Sequence, residues 1–189
     1  MAAEQDVVDL LLEQHNQIKT LFGQVAVAHG DKKRELFEDL VRLLAVHESA
    51  EEEVVHPAAR RKIDDGDDIV DSRLEEEDQA KHALADLYDL GVDHPEFDSR
   101  LKMLASEVIR HATNEESEEF SRLRDVFKPA ELRRMAGALK AAEAMAPTRP
   151  HPMAGESATA NLLAGPPLAV FDRARDAVRD WTSKSKNRK

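Results

Sequence analysis

Two stretches of the chain carry the same ionisable pattern. HESAEEE, residues 47–53, and HATNEESEE, residues 111–119, each open on a histidine with a glutamate four residues later. At that spacing both side chains share one helix face, because a helix advances about 100° per residue. Facing water, such a pair means little. Facing a core it needs a partner, since a buried unpaired charge is expensive. Neutral imidazole nitrogen and carboxylate oxygen are both ligands for transition metals. The question is therefore which way His47, Glu51, His111 and Glu115 point.

The elements that position these residues follow from the punctuation. His29-Gly30-Asp31, Asp64-Asp65-Gly66-Asp67 and Gly91-Val92-Asp93-His94-Pro95 interrupt long runs rich in Leu, Ala, Glu, Lys and Arg. They divide the chain into helices over about 4–28, 32–61, 67–90 and 95–127, with Pro57 a local difficulty in the second. The acidic break supplies an N-cap, and Pro95 suits a first helical turn. Short connections make successive helices antiparallel neighbours, so the expected fold is all-α, an up-down-up-down four-helix bundle over 1–128. From Pro129 the character changes. PAELRRMAGALKAAEAMA predicts a fifth helix, APTRPHPMAGES an extended Pro-rich segment, and about 167–182 a short amphipathic helix before a basic, disordered end. This tail, 129–189, is expected to pack on the bundle and not to form a second domain.

The apolar stripes then fix the phase. They run through Val8, Leu11, Leu12, Ile18, Phe22 and Ala26 in the first helix, and through Leu36, Leu40, Leu43, Leu44, Val54 and Ala58 in the second. The third uses Val70, Leu74, Leu84, Leu87 and Tyr88, the fourth Phe97, Leu101, Leu104, Val108 and Leu123. His15 falls in the first stripe, His47 and Glu51 in the second, Glu77 and Lys81 in the third, and His111 and Glu115 in the fourth. Each lies near mid-helix, so antiparallel packing can bring them to one level. Three histidines and three glutamates at one level need a common partner, and a metal centre supplies it. Two His/Glu pairs with single ligands from two further helices follow the ligand economy of di-iron carboxylate bundles. Six ligands exceed a tetrahedral zinc site.

Other residues read more plainly. Glu116 competes with Glu115, because one local distortion would exchange them. His82 and His56 fall off the inward stripes and are expected at the surface, with His56 nearly opposite His47 and a place at the rim of the site as its alternative, given the distortion at Pro57. His29, His94 and His151 lie in breaks or in the tail. Most of Glu48, Glu52, Glu53, Glu75, Glu76, Glu118 and Glu119 should form a solvated face.

A formal net charge of −11 argues against nucleic acid or an anionic membrane as partner, since both require a basic footprint. The absence of cysteine rules out disulfides and thiolate chemistry and fits a reducing cytoplasm. The acidic opening, MAAEQDVVDLLLEQ, is unlike a signal peptide, and no apolar run is long enough to span a membrane.

The chain resembles the hemerythrin-like, or HHE cation-binding, proteins. The resemblance lies in VVDLLLEQHNQIKTLF with His15, in LFEDLVRLLAVHESAEEEVVHPAAR with His47 and Glu51, and in PEFDSRLKMLASEVIRHATNEESEEFSRLR with His111 and Glu115. It implies a non-haem, oxo-bridged di-iron site that binds or reacts with O2, peroxide or nitric oxide. It implies His15, His47 and His111 as terminal ligands and Glu51 and Glu115 as bridging carboxylates. Oxygen-carrying members place two histidines in the third helix, where this chain has Glu77 and Lys81. That departure turns the expectation from reversible oxygen carriage toward redox chemistry with small oxidants in oxidative or nitrosative stress. Lys81 is then the candidate catalytic donor beside the iron. Iron or oxygen storage without turnover, and a degraded site serving as an interaction surface, are the other functions the pattern allows.

Overall fold

The structure is a computed structural model and describes residues 5–145. Helix α1 (Val7–Val27) opens with a reciprocal cap: the Asp9 amide donates to Asp6 Oδ1 at 2.9 Å, and the Asp6 amide to Asp9 Oδ2 at 3.2 Å. Helix α2 (Gly30–Ala50) follows after two residues, with Gly30 at φ +56°, where glycine is unstrained. The second bundle helix is not uniform. α2 gives way to a π-helical segment at Glu51–Val55 and resumes as α3 (His56–Lys62). Pro57 accounts for the interruption, since it has no amide to donate back along the helix.

Helix α4 runs Gly66–Leu90. Its N-cap, Asp65, sits in the left-handed region and makes no side-chain cap, so the acidic break does not cap the helix as expected. Gly66 is required by close approach: a Cβ there would meet the Ala59 carbonyl oxygen at 2.5 Å. Helix α5 (Phe97–Asn114) starts two residues beyond Pro95, after a turn closed by the Phe97 amide on the His94 carbonyl at 2.9 Å. It too passes through a π segment, Glu115–Phe120, into α6 (Ser121–Val126). Helix α7 (Pro129–Met145) buries Leu132, Ala136, Leu139 and Ala142 against α1, α2 and the first π segment. The Pro-rich segment, the amphipathic piece and the basic end lie outside the described residues.

The four long helices pack in antiparallel sequence, α1 touching both α2 and α5, and α4 touching both α3 and α5. Most expected stripes are buried, with two shifts of phase. In α1 the stripe ends on Val25, while Ala26 is exposed. In the first π segment Val55 is buried where Val54 was expected. The core forms two apolar clusters. One gathers Val8, Leu11, Val55, Val70, Phe120, Leu123 and the face of α7; the other Ile18, Phe22, Phe37, Leu40, Leu84, Phe97, Leu101 and Leu104. Between them, in sequence on every long helix, lie the ionisable residues. No helix among the described residues is long and apolar enough to cross a membrane.

Candidate metal centre

His15, His47, Glu51, Glu77, His111 and Glu115 are all buried, three of them with no exposure at all. Glu115 is the inward member of its pair. Glu116 is half-buried, its Oε1 accepting from His15 Nδ1 at 2.9 Å, with Lys19 Nζ 3.4 Å from the same oxygen.

The three predicted histidines share one construction. Each has Nδ1 on a side-chain oxygen: His15 on Glu116, His47 on Gln14 Oε1 at 2.7 Å, and His111 on Glu76 Oε2 at 3.0 Å. Each turns Nε2 to a central carboxylate. His15 Nε2 lies 3.3 Å from Glu115 Oε2, His47 Nε2 3.4 Å from Glu51 Oε2, and His111 Nε2 3.2 Å from Glu115 Oε1. Such an outer hydrogen bond fixes ring orientation and tautomer in metal-ligating histidines. The outer oxygens are themselves held. Gln14 donates to Glu143 of α7, Asn114 donates to Glu76 at 2.9 Å, and the buried Arg73 guanidinium lies 3.5 Å from Glu76.

The central atoms are left without hydrogen bonds. His15 Nε2, His111 Nε2, both oxygens of Glu51 and both of Glu115 are buried with no hydrogen-bond partner among the described residues, beyond those longer imidazole–carboxylate contacts. An orphaned buried polar atom costs about 1–3 kcal/mol, and six in one layer is far beyond ordinary tolerance. Adjacent ligands on an octahedral ion with bonds near 2.1 Å sit about 3 Å apart, close to the imidazole–carboxylate separations found here. Ligand atoms of His15, His47, Glu51 and Glu115 lie within 4.8 Å of one another, as do those of His56, Glu77 and Glu115. Glu115 belongs to both groups. The donor set, nitrogen and carboxylate oxygen without sulfur, fits a first-row transition metal such as iron.

Burial, reinforced by the neighbouring imidazoles, pushes His47 down to about 3. Burial and the Glu115 carboxylate raise Glu51 well above the carboxylate range. Burial and Glu77 lift Glu48 to about 8. Burial opposes the charge on His111, yet the Glu115 carboxylate carries it up to about 10.

Two expectations are corrected. His56, expected at the surface, is 3% exposed, with Nε2 2.7 Å from Glu77 Oε1 and Nδ1 3.1 Å from Glu119 Oε1. Glu119 and Glu48, expected on a solvated face, are buried. The cause is the π segments, each of which holds one extra residue and rotates the residues beyond it by about 100°. Counted in α-helical steps, His56 is opposite His47; with one step absorbed it comes within about 80°. The same step brings Glu119 to within about 20° of His111, and Phe120 in to stack on His15 at 5.5 Å. Pro57 was the sequence signal for the first displacement. Nothing in EESEEF marks the second.

His82 is exposed, as expected, and its Nδ1 lies 2.8 Å from the Asp78 carbonyl. His94 Nδ1 accepts from the Glu96 amide, and His29 is exposed before α2. His151 lies outside the described residues. Lys81 is half-buried. Its Nζ donates to Glu52 and lies 3.4 Å from Glu77 Oε2 and 3.9 Å from Glu48. Burial works against its charge, but the carboxylates of Glu48, Glu77 and Glu52 raise its pKa above the ordinary lysine value. A surface cavity between α1, α2 and α7, lined by Gln14, Gln17, Leu43, Val46 and Glu143, reaches His47 from outside.

An antiparallel bundle with buried imidazole and carboxylate ligands at its waist defines the class: a four-helix cation-binding protein. Residues 6–123 match the Hemerythrin HHE cation binding domain, and the chain belongs to that family. It is 20% identical to a hemerythrin HHE cation binding domain-containing protein of Mycobacterium kansasii, with a TM-score of 0.65 over 90% of this chain and 99% of that one. An uncharacterized hemerythrin-like protein of Schizosaccharomyces pombe is 22% identical over 93% of this chain and 87% of its own length. A DNA nickase of Nostoc sp. is 28% identical over 74% of this chain, which spans only 40% of the nickase.

Proposed function

We propose that the chain is a di-iron protein that binds or reacts with a small oxidant, O2, peroxide or nitric oxide, in the cytoplasmic response to oxidative or nitrosative stress. The observation that carries this reading is the set of orphaned buried donor atoms on His15, His111, Glu51 and Glu115, gathered in one layer. In it, His15 and His47 are terminal ligands on one side of the shared Glu115, and His111 and Glu77 on the other. Glu51 and Glu115 would supply the central carboxylates. When bound, iron held by these residues would supply electrons to the oxidant. The chain's residues do the rest. Gln14, Glu76 and Glu116 hold the imidazoles in one tautomer, and the two apolar clusters keep bulk water from the layer. Lys81 neutralises Glu48, Glu52 and Glu77 and would be a cation able to donate a proton toward an oxidant at the Glu77 side.

Storage of iron or oxygen without turnover rests on the same ligands and differs only in the absence of catalysis. The nickase likeness favours no nucleic-acid reading, because the chain's charge of −11 opposes a phosphate backbone. The test is iron analysis of the purified chain with its visible spectrum, then turnover of peroxide and nitric oxide. Two irons with turnover support the proposal, two irons without turnover leave storage, and no iron in a fully supplied preparation defeats both.

A further inference from the structure

The histidine that sequence phase places at the surface has the same construction as the three it places inside. His56 Nδ1 sits 3.1 Å from Glu119 Oε1, and its Nε2 2.7 Å from Glu77 Oε1. Two readings compete for this arrangement. In one, His56 is a buried cation that neutralises two carboxylates and nothing more. In the other it is a ligand, turned inward like His15, His47 and His111.

Three observations favour the ligand. First, an ion pair between His56, Glu77 and Glu119 leaves Glu119 Oε2 and both Glu115 oxygens buried without a hydrogen bond, the latter meeting only the His15 and His111 imidazoles at 3.3 and 3.2 Å, and a metal ion beside Glu115 would relieve that carboxylate. Second, His56 Nε2, an oxygen of Glu77 and an oxygen of Glu115 already lie within 4.8 Å of one another. Third, α4 contributes Glu77 alone. The next inward position of α4, Lys81, is occupied by an ammonium bound to Glu52, so α4 gives this half of the layer no nitrogen beside that of His111. Position 56 supplies one from the neighbouring helix. Both His56 and Glu119 arrive there only through the two π segments, one in each helix.

We infer that His56 is a fourth histidine ligand, belonging to the metal position formed with Glu77 and Glu115, and that Glu119 is its positioning residue. This rests on the di-iron reading above. The experiment titrates the full chain with ferrous iron under anaerobic conditions and counts metal per chain. Wild type should take two irons and His56→Ala one. Glu119→Gln should still take two, with the weaker affinity lowered about 10–100-fold.

A second measurement does not depend on the fold surviving a cavity. The chain has no cysteine. His56→Cys loaded with cobalt(II) should therefore gain a near-ultraviolet thiolate-to-cobalt band that wild type cannot show. Two metals bound to His56→Ala with unchanged affinity, or two cobalt ions without that band in His56→Cys, would overturn the inference and leave the di-iron reading standing. A wild-type chain that binds no metal would overturn both.

Discussion

On one side of Glu115, His15 and His47 turn their Nε2 atoms toward carboxylates, and the Glu51 oxygens have no other partner. On the other side, the His56 imidazole is held at both nitrogens, by Glu119 and by Glu77. The carboxyl groups respond in opposite ways. Burial and Glu115 push Glu51 well above its usual range. Burial acts on Glu77 in the same direction, but the hydrogen bond and charge of His56, with Lys81, hold it below the usual value. On the proposed reading, the first half offers its ligand atoms without breaking other hydrogen bonds at Glu51. The second carries its own cations and must give up contacts to accept a metal. Similar donors in two halves of one layer therefore predict unequal affinities, the first half filling before the second.

The largest expected effect comes from removing a ligand of the first half. His47→Ala should lose the tighter metal, and with it the order of filling; His111→Ala, on the other side of Glu115, should lose the weaker one. Metal content after dialysis against a chelator measures both. Near wild-type content in both variants would mean that the inward layer is not a metal site.

A smaller effect follows from the outer oxygens. Gln14→Ala frees His47 Nδ1, and Glu116→Ala frees that of His15. Each should weaken the first half about 10–100-fold while leaving two metals at saturation. Competition with a calibrated chelator reads this directly, and an unchanged affinity would show that these contacts do not orient the rings.

The smallest effect on metal content belongs to Lys81→Met, which removes a cation and no ligand. Iron should stay near two per chain, while the rate with peroxide or nitric oxide changes. Lys81→His should add a nitrogen to the second half and strengthen its oxygen-dependent absorption. Wild-type spectra and rates in both variants would remove Lys81 from the chemistry.

The bundle was legible because its stripes keep the helical period between clear Gly and Pro breaks. The layer was legible as far as that period holds. His15, His47, Glu77 and His111 precede any interruption in their own helices, and Glu51 and Glu115 stand at the first residue of theirs. Beyond those points a constant advance per residue gives the wrong face, which is why Val54, His56 and Glu119 were misplaced. Gln14, Glu76 and Arg73 gave no signal for another reason. Polar residues on a helix flank are ordinary, and only the neighbour they face makes them supports.

The placement of the ionisable layer between two apolar clusters bears on how the molecule opens. Without metal, the bundle is two short cores joined across a belt of repelling carboxylates and unsatisfied nitrogens. Amides of residues 51–55 and 115–120 should then exchange with solvent well before those of either core, through local openings that leave both ends closed. With metal bound to all four helices, opening the belt requires releasing the ion, at a cost of about 2.7 kcal/mol when free metal is a hundredfold above its dissociation constant. Exchange at the belt should slow toward the rate of the cores, and the separate openings should merge into one cooperative unfolding event.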